Sequence, residues 1–435
     1  MKQVRPYPQV IVTRKAARAL KAGHPWVFAG EVVRVEPSPA DGRTAQNGDI
    51  VDVLEENGTW QGAGLLSQQS TLRVRLLSRN ANDRFDEDFW RRRLSWAWQH
   101  RVSAMGSRGL CGAESDLTCC RVVFSEADGL PGLTVDKYED VLVSQVGTFG
   151  MERLRPVVYP LLIEVLQESG IAIRGIYERN DGSIRQKEGL LQYKGWWDGI
   201  ARAEGDEPNT NLVVRENGLQ FGLDLENSQK TGFFLDQKYN RRAVRELALN
   251  RRVLDCFCHV GPFGLNALAG GAEFVRFVDV SSMALDLARK NAVLNGFDVE
   301  SDHATAAFTC ADVLEYLPTL RDRGRLRAEG GPFDLIVLDP PAFAKSGSAV
   351  RNARKGYRDI NAAALRLLPR GGYLATCSCS QHMTRDLLAE AIADAAHSVN
   401  RQLKQVEERQ QAPDHPILWG FPQSHYLDFF VFQVV

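Results

Sequence analysis

Carboxylates end several apolar stretches in the second half of the chain. Asp255, Asp279 and Asp339 each close such a stretch and are followed by loop residues, and Asp312 closes another. The carboxyl ends of the strands in a doubly wound parallel sheet line one ligand crevice. A carboxylate after the second strand suits the two hydroxyls of a ribose, so Asp279 predicts a ligand that carries a nucleoside. Asp312 would then accept a hydrogen bond from the amino group of an adenine.

The turn after the first predicted strand contains Gly261 and Gly264, and glycine lets a backbone approach a ligand closely. The pattern differs from the GxGxxG turn, and the sequence contains no GK[ST] phosphate loop. Asp339 opens an Asp-Pro-Pro motif whose prolines hold the loop rigid, and this motif narrows the nucleoside ligand to S-adenosylmethionine. We therefore predict that the cofactor is bound by Asp255, Gly261, Asp279, Asp312 and Asp339.

Two cysteines, Cys377 and Cys379, stand at the exit of a predicted fifth strand over residues 371–380. Side chains two positions apart face the same side of a strand. A thiolate can add to carbon 6 of a cytosine, which makes carbon 5 able to take a methyl group. A thiol with a pKa of about 8.5 needs a neighbour that helps it to ionise, and the sequence does not show which residue does so.

The segment 230–237 precedes a predicted helix over 238–249 and is expected to lie across the crevice from the first strand end. Lys230 and Asp236 are therefore candidate cofactor contacts, with capping of that helix as the alternative for Asp236. Among the histidines near these motifs, we interpret His382 as a surface residue. We interpret His415 as a structural or substrate-loop residue, with catalysis as the less favoured alternative.

The elements that must position these side chains follow from hydrophobic periodicity. Strands and helices alternate through 226–435, which predicts an α/β domain with a doubly wound parallel sheet. Residues 1–80 contain short alternating or apolar runs and predict a small β-rich module. Between them, 81–225 begins with a helix over 86–103 and continues as an α+β piece with an Asn-Gly hairpin at 217–218. A chain of 435 residues is expected to form two or three domains.

Aromatic and basic residues alternate in the helix predicted over 86–103. We interpret it as a helix with an aromatic core face and a solvated basic face, and contact with RNA is the alternative if the rest of the chain handles RNA. Trp26 and Phe28 lie in a segment with a modest surplus of basic residues. For these two side chains the sequence leaves open burial in the core or stacking on a base.

Composition excludes several classes of protein. The chain is 44% hydrophobic and 25% charged with a net charge of −1, as in a globular protein that is not a polycation. No apolar run approaches the roughly 20 residues of a membrane span, and the first residues lack the apolar core of a signal peptide. We therefore expect a cytoplasmic protein without a membrane partner. The eight cysteines include no CxxC pair, so no metal site is predicted.

Several motifs together resemble a known family. They lie at 23–28, 230–236, 339–343, 356–361, 378–380 and 412–416. The first, Gly-His-Pro-Trp-Val-Phe, resembles the opening of the PUA domain found in front of some RNA-modifying enzymes. The others resemble the RlmI-type 23S rRNA cytosine-5 methyltransferases, and the resemblance covers nearly the whole chain.

This resemblance implies a β-barrel-like PUA domain over 1–80, a helical linker and α+β linking domain over 81–225 and a Rossmann-like class I methyltransferase domain over 226–435. It implies S-adenosylmethionine as the cofactor and RNA, specifically 23S rRNA, as the partner. It also implies that Cys379 is the nucleophile, because Ser-Cys-Ser at 378–380 matches the family's motif. Asp339 would hold the flipped cytosine at N3 or at its amino group.

Three classes of function stay open on the sequence. The first is a cysteine-dependent rRNA cytosine-5 methyltransferase, and the second is a methyltransferase acting on another RNA atom or on a small molecule. The third is a non-catalytic RNA-binding assembly factor, which the intact acidic residues and Cys379 argue against. The target nucleotide and the oligomeric state, a homodimer included, are not predicted.

Overall fold

The computed structural model describes residues 5–106, 115–200, 209–228, 231–344 and 346–435. The chain divides into two compact units. The first unit comprises Met1–Leu212, Leu223–Leu235 and Pro413–Ser424, and the second comprises Val213–Gly222, Asp236–Ala412 and His425–Val435. The chain therefore passes from one unit to the other after residues 212, 222, 235, 412 and 424.

The first unit begins with a sheet of short strands packed on one helix. Its elements are β1 (Gln9–Val12), α1 (Arg14–Lys21), β2 (Trp26–Phe28), β3 (Val32–Glu36), β4 (Ile50–Glu55), β5 (Trp60–Leu66) and β6 (Leu72–Ser78). The strand order is β2-β6-β5-β4-β1-β3, with β1 parallel to β4. Thr13 caps α1 by accepting a hydrogen bond from the Ala16 N–H at 3.3 Å. The alternating runs of 1–80 therefore form the predicted β-rich module.

A second sheet of the first unit is flanked by two long helices. Its elements are α2 (Glu87–Gly106), β7 (Cys119–Phe124), β8 (Leu133–Tyr138), β9 (Val141–Val146), α3 (Phe149–Glu168), β10 (Gly175–Asn180), α4 (Ile184–Lys187) and β11 (Tyr193–Trp196). The strand order is β11-β10-β9-β8-β7, and β9 and β10 run parallel. Helix α3 begins where Thr148 accepts from the Met151 N–H, and it buries Val158, Leu162 and Val165 at helical spacing.

Helix α2 corrects the interpretation of its two faces. Arg101 is fully buried, pairs with Asp128 at 2.6 Å and donates to the Asp414 carbonyl oxygen at 2.7 Å. Trp96, by contrast, is 52% exposed, whereas Trp90 is buried. The prediction of a solvated basic face and an aromatic core face is therefore wrong at Arg101 and Trp96, because the acceptors of Arg101 come from distant parts of the chain.

A hairpin of β12 (Asn211–Glu216) and β13 (Leu219–Asp224) precedes the larger sheet of the second unit. The remaining elements are α5 (Lys238–Glu246), β14 (Arg252–Cys256), α6 (Pro262–Ala269), β15 (Phe274–Asp279), α7 (Ser282–Leu294), β16 (Ala306–Cys310), α8 (Val313–Thr319), α9 (Arg323–Ala328), β17 (Leu335–Leu338), α10 (Val350–Leu367), β18 (Tyr373–Ser378), α11 (Arg385–Ser398), β19 (Leu403–Gln410) and β20 (Asp428–Val434). Asn217 and Gly218 have φ of 55° and 76°, as a two-residue hairpin turn requires.

The larger sheet has the order β16-β15-β14-β17-β18-β20-β19. Strands β14 to β18 run parallel, and β20 runs antiparallel to β18 and β19. The strand order reverses between β14 and β17, and ligands of such sheets bind outside the carboxyl ends of the strands at this switch point. The predicted doubly wound parallel sheet is therefore confirmed, with an antiparallel addition at one side.

Within the described ranges, no helix is long and apolar enough to cross a membrane. Every cysteine in those ranges is a free thiol.

Candidate active site

Asp255 lies at the carboxyl end of β14 and is fully buried. Its Oδ2 accepts a hydrogen bond from the Gly264 N–H at 2.8 Å, whereas its buried Oδ1 has no partner among the described residues. Burial raises the pKa of Asp255 to about 8, and the carboxylates of Asp339 and Asp279 contribute in the same direction. The sequence-predicted Asp255, Asp279 and Asp339 therefore lie near one another, and we call these three residues the acid cluster.

Gly261 and Gly264 permit close packing of α6 on the sheet. Gly261 has a φ of +85°, and a Cβ at this position would lie 3.1 Å from the Cβ of Ala288. A Cβ at Gly264 would lie 2.2 Å from the ring of Phe277. In the structure, these glycines thus let side chains pack closely beneath the turn. The sequence had instead suggested that they let the backbone approach a ligand.

Asp279 ends β15 and is held by two backbone donors. Its Oδ2 accepts from the His259 N–H at 2.9 Å, and its Oδ1 accepts from the Ser281 N–H at 2.9 Å. His259 adopts a left-handed φ of 50°, which turns its N–H toward the carboxylate. These contacts fix the carboxylate while each oxygen keeps a second lone pair for a ligand hydroxyl.

Asp312 is exposed and caps α8. Its Oδ1 accepts from the Leu314 N–H at 2.8 Å. The predicted third strand ends earlier, at Cys310. No contact within the described part of the chain joins Asp312 to the acid cluster.

Asp339 follows β17 and receives two donors on one oxygen. Its Oδ1 accepts from the Gln237 Nε2 at 3.1 Å and from the Cys377 thiol at 2.9 Å. Gln237 is in turn oriented by Asn240, whose Nδ2 donates to the Gln237 Oε1 at 2.6 Å. Burial raises the pKa of Asp339, while Cys377, Arg241 and Gln237 oppose that rise. The net effect on the Asp339 pKa is upward, so this carboxyl keeps its proton to a higher pH than an exposed aspartate does.

The two cysteines of the predicted fifth strand differ in access. Cys377 is 1% exposed, and burial raises the pKa of its thiol well above the ordinary value, with Asp339 acting in the same direction. Cys379 lies just beyond the end of β18, is partly exposed, and faces the Pro340 carbonyl oxygen at 3.9 Å. Ser380 Oγ donates to the Ala344 carbonyl oxygen at 2.7 Å. This hydrogen bond holds the loop that carries Cys379 against the loop that carries Asp339.

Asp236 is buried, and its Oδ2 accepts from the Tyr426 hydroxyl at 2.7 Å. The alternative that Asp236 caps α5 is wrong, because the N-cap residue is Gln237. Lys230 lies outside the described residues.

The two histidines behave as their interpretations predicted. His382 is exposed. His415 belongs to the first unit, is buried, and lies 2.9 Å from the Asp414 Oδ1 through its Nδ1. The Asp414 Oδ2 accepts from the Arg121 N–H at 2.9 Å. Asp414 therefore ties the segment 413–424 to β7 of the first unit, and the burial of His415 beside it favours the structural alternative.

Sequence reasoning assigned no role to Gln237, Asn240 or Arg241, which surround the acid cluster. Arg241 is 1% exposed and pairs with Glu216 at 2.7 Å. The one sequence signal for these residues was their place directly after the segment 230–236. Their contacts depend on where α5 packs, and hydrophobic periodicity does not reveal that.

The acid cluster fits S-adenosylmethionine. Three carboxyl groups lie together with the buried Asp255 Oδ1 as an acceptor without a partner in the described ranges, and Arg241, itself paired with Glu216, provides a nearby positive charge. The sulfonium and ammonium groups of the cofactor are cationic and would offset the remaining negative charge. Among the described residues, no group of three or more His, Cys, Asp and Glu side chains is arranged to hold a metal ion.

Comparisons with known proteins agree with this geometry. A family model described as S-adenosylmethionine-dependent methyltransferase matches residues 182–420, and a PUA-like domain model matches residues 10–79. Among solved structures, a SAM-dependent methyltransferase from Streptococcus mutans covers 98% of this chain and 100% of its own at 20% identity, with a TM-score of 0.75. SMU.776, solved with SAH, has a TM-score of 0.77 at 19% identity, with coverage of 98% and 100%. These two similarities show the fold.

Curated relatives are more similar in sequence. The protein named Ribosomal RNA large subunit methyltransferase I from Shewanella denitrificans is 39% identical over 417 residues, which cover 96% of this chain and 97% of that protein. The protein of the same name from Aliivibrio fischeri strain ES114 is 37% identical over 418 residues, with the same coverage. The chain is therefore an S-adenosylmethionine-dependent methyltransferase with a PUA-like N-terminal domain, and it belongs to the family named Ribosomal RNA large subunit methyltransferase I.

Proposed function

We propose that this protein methylates carbon 5 of a cytosine in 23S rRNA, with S-adenosylmethionine as the methyl donor and Cys379 as a covalent nucleophile. The name that the curated relatives share supports ribosomal RNA as the substrate, and the similarity to a PUA-like domain supports RNA binding. The single observation that carries the cytosine assignment is a partly exposed thiol, Cys379, on a loop hydrogen-bonded to the loop that carries Asp339.

The cofactor would lie along the carboxyl ends of β14, β15 and β17 and would supply an electrophilic methyl group. Asp279 would accept from the ribose hydroxyls, and the exposed Val280 next to it offers an apolar surface to the adenine. The remaining proposed cofactor contacts are Asp255, Gly261, Asp312, Asp339, Asp236 and Lys230. We also propose that residues 1–80 form the RNA-recognition domain, that residues 81–225 form the linking domain and that residues 226–435 form the methyltransferase domain.

The proposed reaction begins when the Cys379 thiolate forms a carbon–sulfur bond at carbon 6 of the cytosine. The electron pair of the carbon 5–carbon 6 bond shifts into the ring, and the Asp339 carboxyl hydrogen-bonds and protonates N3. Carbon 5 then takes the methyl group, and the carbon–sulfur bond of the sulfonium breaks. A water molecule removes the carbon 5 proton, N3 returns its proton to Asp339, and the thiolate leaves.

The raised pKa of Asp339 supports its role, because it enlarges the fraction of the carboxyl that carries a proton to donate to N3. The buried Cys377 donates to the same carboxyl and would orient it without reacting. The target base must leave its stack to reach this crevice, which costs roughly a few kcal/mol. Contacts elsewhere on the RNA can offset that cost.

The decisive experiment follows a labelled methyl group from S-adenosylmethionine to unmodified 23S rRNA and identifies the product nucleoside by mass spectrometry. We expect 5-methylcytidine from the wild type and from Cys377→Ala, and no product from Cys379→Ala although that variant still binds S-adenosylmethionine in calorimetry. RNA carrying 5-fluorocytidine should form an adduct that survives denaturing electrophoresis with every protein except Cys379→Ala.

Other outcomes would separate the alternatives. Label on a different nucleoside with full activity of Cys379→Ala would remove the covalent step and leave methylation of another RNA atom. Binding of S-adenosylmethionine without transfer to naked rRNA, to ribosomal subunits or to precursor particles would contradict rRNA as the substrate.

A further inference from the structure

The first unit contains an open cavity of about 1000 Å³. Strand β6, one face of α2, the turn at 126–129 and the segment around Pro416 and Leu418 surround it. This volume is at the upper end of the roughly 300–1000 Å³ of small-molecule pockets, and the cavity is open to solvent. An open site of this size suits part of a polymer better than an enclosed small molecule.

Side chains of α2 line this cavity in one stripe. Arg92 and Arg93 precede Trp96 by four and three residues and His100 follows it by four, so each shares a helix face with Trp96. The guanidinium carbons of Arg92 and Arg93 lie 5.6 and 5.5 Å from the centre of the Trp96 ring. Trp96 keeps about half of its surface exposed beside these cations. With Arg79 from the end of β6, these four residues form what we call the α2 groove.

The acidic residues that line the cavity are already compensated by other groups. Glu126 accepts from Arg75 at 2.7 Å and from the Trp26 Nε1 at 2.8 Å. Asp128 pairs with the buried Arg101 at 2.6 Å, and Asp83 pairs with Arg92 at 3.1 Å. Asp83 also attracts the neighbouring Arg93, but within the described ranges none of these carboxylates forms an ion pair with Arg79 or Arg93.

Those two arginines, Arg79 and Arg93, form no ion pair within the described ranges. Arg79 donates to the His24 carbonyl oxygen at 3.1 Å, and Arg93 donates to the Leu77 carbonyl oxygen at 2.9 Å. The Arg93 Nε is buried and has no hydrogen-bond partner among the described residues. Partial burial lowers the pKa of Arg93, and Asp83 opposes that fall. Two guanidinium groups that form no ion pair in the described ranges thus line the same cavity as an exposed indole.

We propose that the α2 groove binds a single-stranded segment of the substrate RNA, with phosphodiester oxygens on Arg79 and Arg93 and an unpaired base on Trp96. The assignment of this RNA as substrate rests on the proposed function. Arginine donates to phosphate oxygens in a fork geometry. Stacking on Trp96 needs a base that is free of its own stack, which favours a single strand over a duplex.

The test uses the full chain and a fluorescein-labelled single-stranded oligoribonucleotide, with a duplex of the same sequence for comparison. Binding is followed by anisotropy between 50 and 300 mM salt. We expect Trp96→Leu to weaken single-strand binding about 5- to 50-fold with an unchanged salt dependence, and Trp96→Phe to restore most of it. We expect Arg79→Ala to weaken binding about 5-fold at low salt and to reduce the slope of log K against log salt by about 0.7.

The matched control is Arg91→Ala. Arg91 is on the same helix but does not line the cavity, and it lies 3.2 Å from Glu168 in an ion pair that also includes Glu164. This variant should bind within twofold of the wild type. Thermal unfolding of each variant excludes loss of fold, and Arg93→Lys tests the partly buried arginine while keeping its charge.

Two results would overturn the groove assignment. The first is wild-type binding by both Trp96→Leu and Arg79→Ala. The second is that Arg79→Ala weakens the binding of the oligoribonucleotide and of a polyglutamate probe equally while Trp96→Leu has no effect. That result would show a surface that binds any polyanion. The methyl-transfer assay separates this failure from failure of the proposed function. If groove variants lose RNA affinity while the wild type makes no 5-methylcytidine, the groove assignment is supported and the proposed function is wrong. If groove variants keep RNA affinity while the wild type makes 5-methylcytidine, the groove assignment is wrong and the proposed function is supported.

Discussion

The acid cluster in the second unit and the α2 groove in the first unit hold charge in opposite ways. In the acid cluster, carboxyl groups are crowded at strand ends and hydrogen-bonded to backbone or side-chain donors, and burial raises the pKa of Asp255 and of Asp339. In the groove, Arg79 is exposed and Arg93 is partly buried, and neither forms an ion pair in the described ranges, while Glu126 and Asp128 pair with arginines outside the groove. A site that positions one small cationic ligand and handles protons benefits from burial. A surface that attracts a polyanion benefits from exposed and uncompensated charge.

The largest expected effect concerns Asp339. Asp339→Ala removes the carboxyl proposed to protonate N3, so the single-turnover rate of methyl transfer at saturating cofactor should fall by about 10²- to 10⁴-fold. A rapid-quench assay with labelled S-adenosylmethionine measures this rate, and the exposed Asp386→Ala on α11 is the control. Retention of more than a tenth of the rate would remove Asp339 from the proton transfer.

The second prediction concerns the pH dependence of stability. Asp255 has a pKa raised to about 8 in the folded state, so the folded protein holds a proton that the unfolded chain releases above about pH 4. This carboxyl therefore lowers stability progressively as pH rises from about 4 to 8. Because an amide does not titrate, Asp255→Asn should remove up to about 5 kcal/mol of this pH-dependent loss in the free energy of unfolding. Calorimetric unfolding of the cofactor-free proteins should show the variant gaining on the wild type at pH 8.5 relative to pH 5, and a constant difference would contradict the prediction.

A smaller effect is expected from Gln237. Its amide opposes the rise in the pKa of Asp339, so Gln237→Ala should move the Asp339 limb of the pH–rate profile to higher pH. We expect a loss of rate of about tenfold at pH 7.5, as for a positioning residue whose removal leaves the reacting groups in place. An unchanged profile with a tenfold loss would indicate a purely structural role.

The smallest effect separates the two regions directly. Raising the salt concentration from 50 to 200 mM should weaken RNA binding by a factor of ten or more but change the affinity for S-adenosylmethionine by less than about twofold, because buried charges are screened much less than exposed ones. Calorimetry for the cofactor and anisotropy for RNA measure both on one preparation. An equal salt response would show that the two regions do not differ in the way described.

Much of the fold was predictable because short-range patterns determine it. The Asn-Gly turn at 217–218, the strand ends at Asp255 and Asp279 and the Asp-Pro-Pro at 339–341 depend on neighbours in sequence, and the structure confirms these elements.

The contacts that depend on tertiary packing were not predictable. Gln237 reaches Asp339 across 102 positions, and Arg101 finds an acceptor in Asp414 across 313 positions. Gly264 is required because Phe277 packs beneath it, which no pattern within the turn reveals. The sequence therefore located the acids of the site but not the amides and arginines that set their charge.

The path of the chain between its two units limits how such a protein can be rebuilt. A fragment that ended at residue 212 would lack Asp414, which accepts from Arg121, and Phe421, whose ring centre lies 4.6 Å from that of Trp26. Each unit consists of three separate segments of the chain, so no single break in the chain separates one unit from the other. A single recombination crossover therefore cannot graft the first unit onto another enzyme, and the two units are expected to be inherited together.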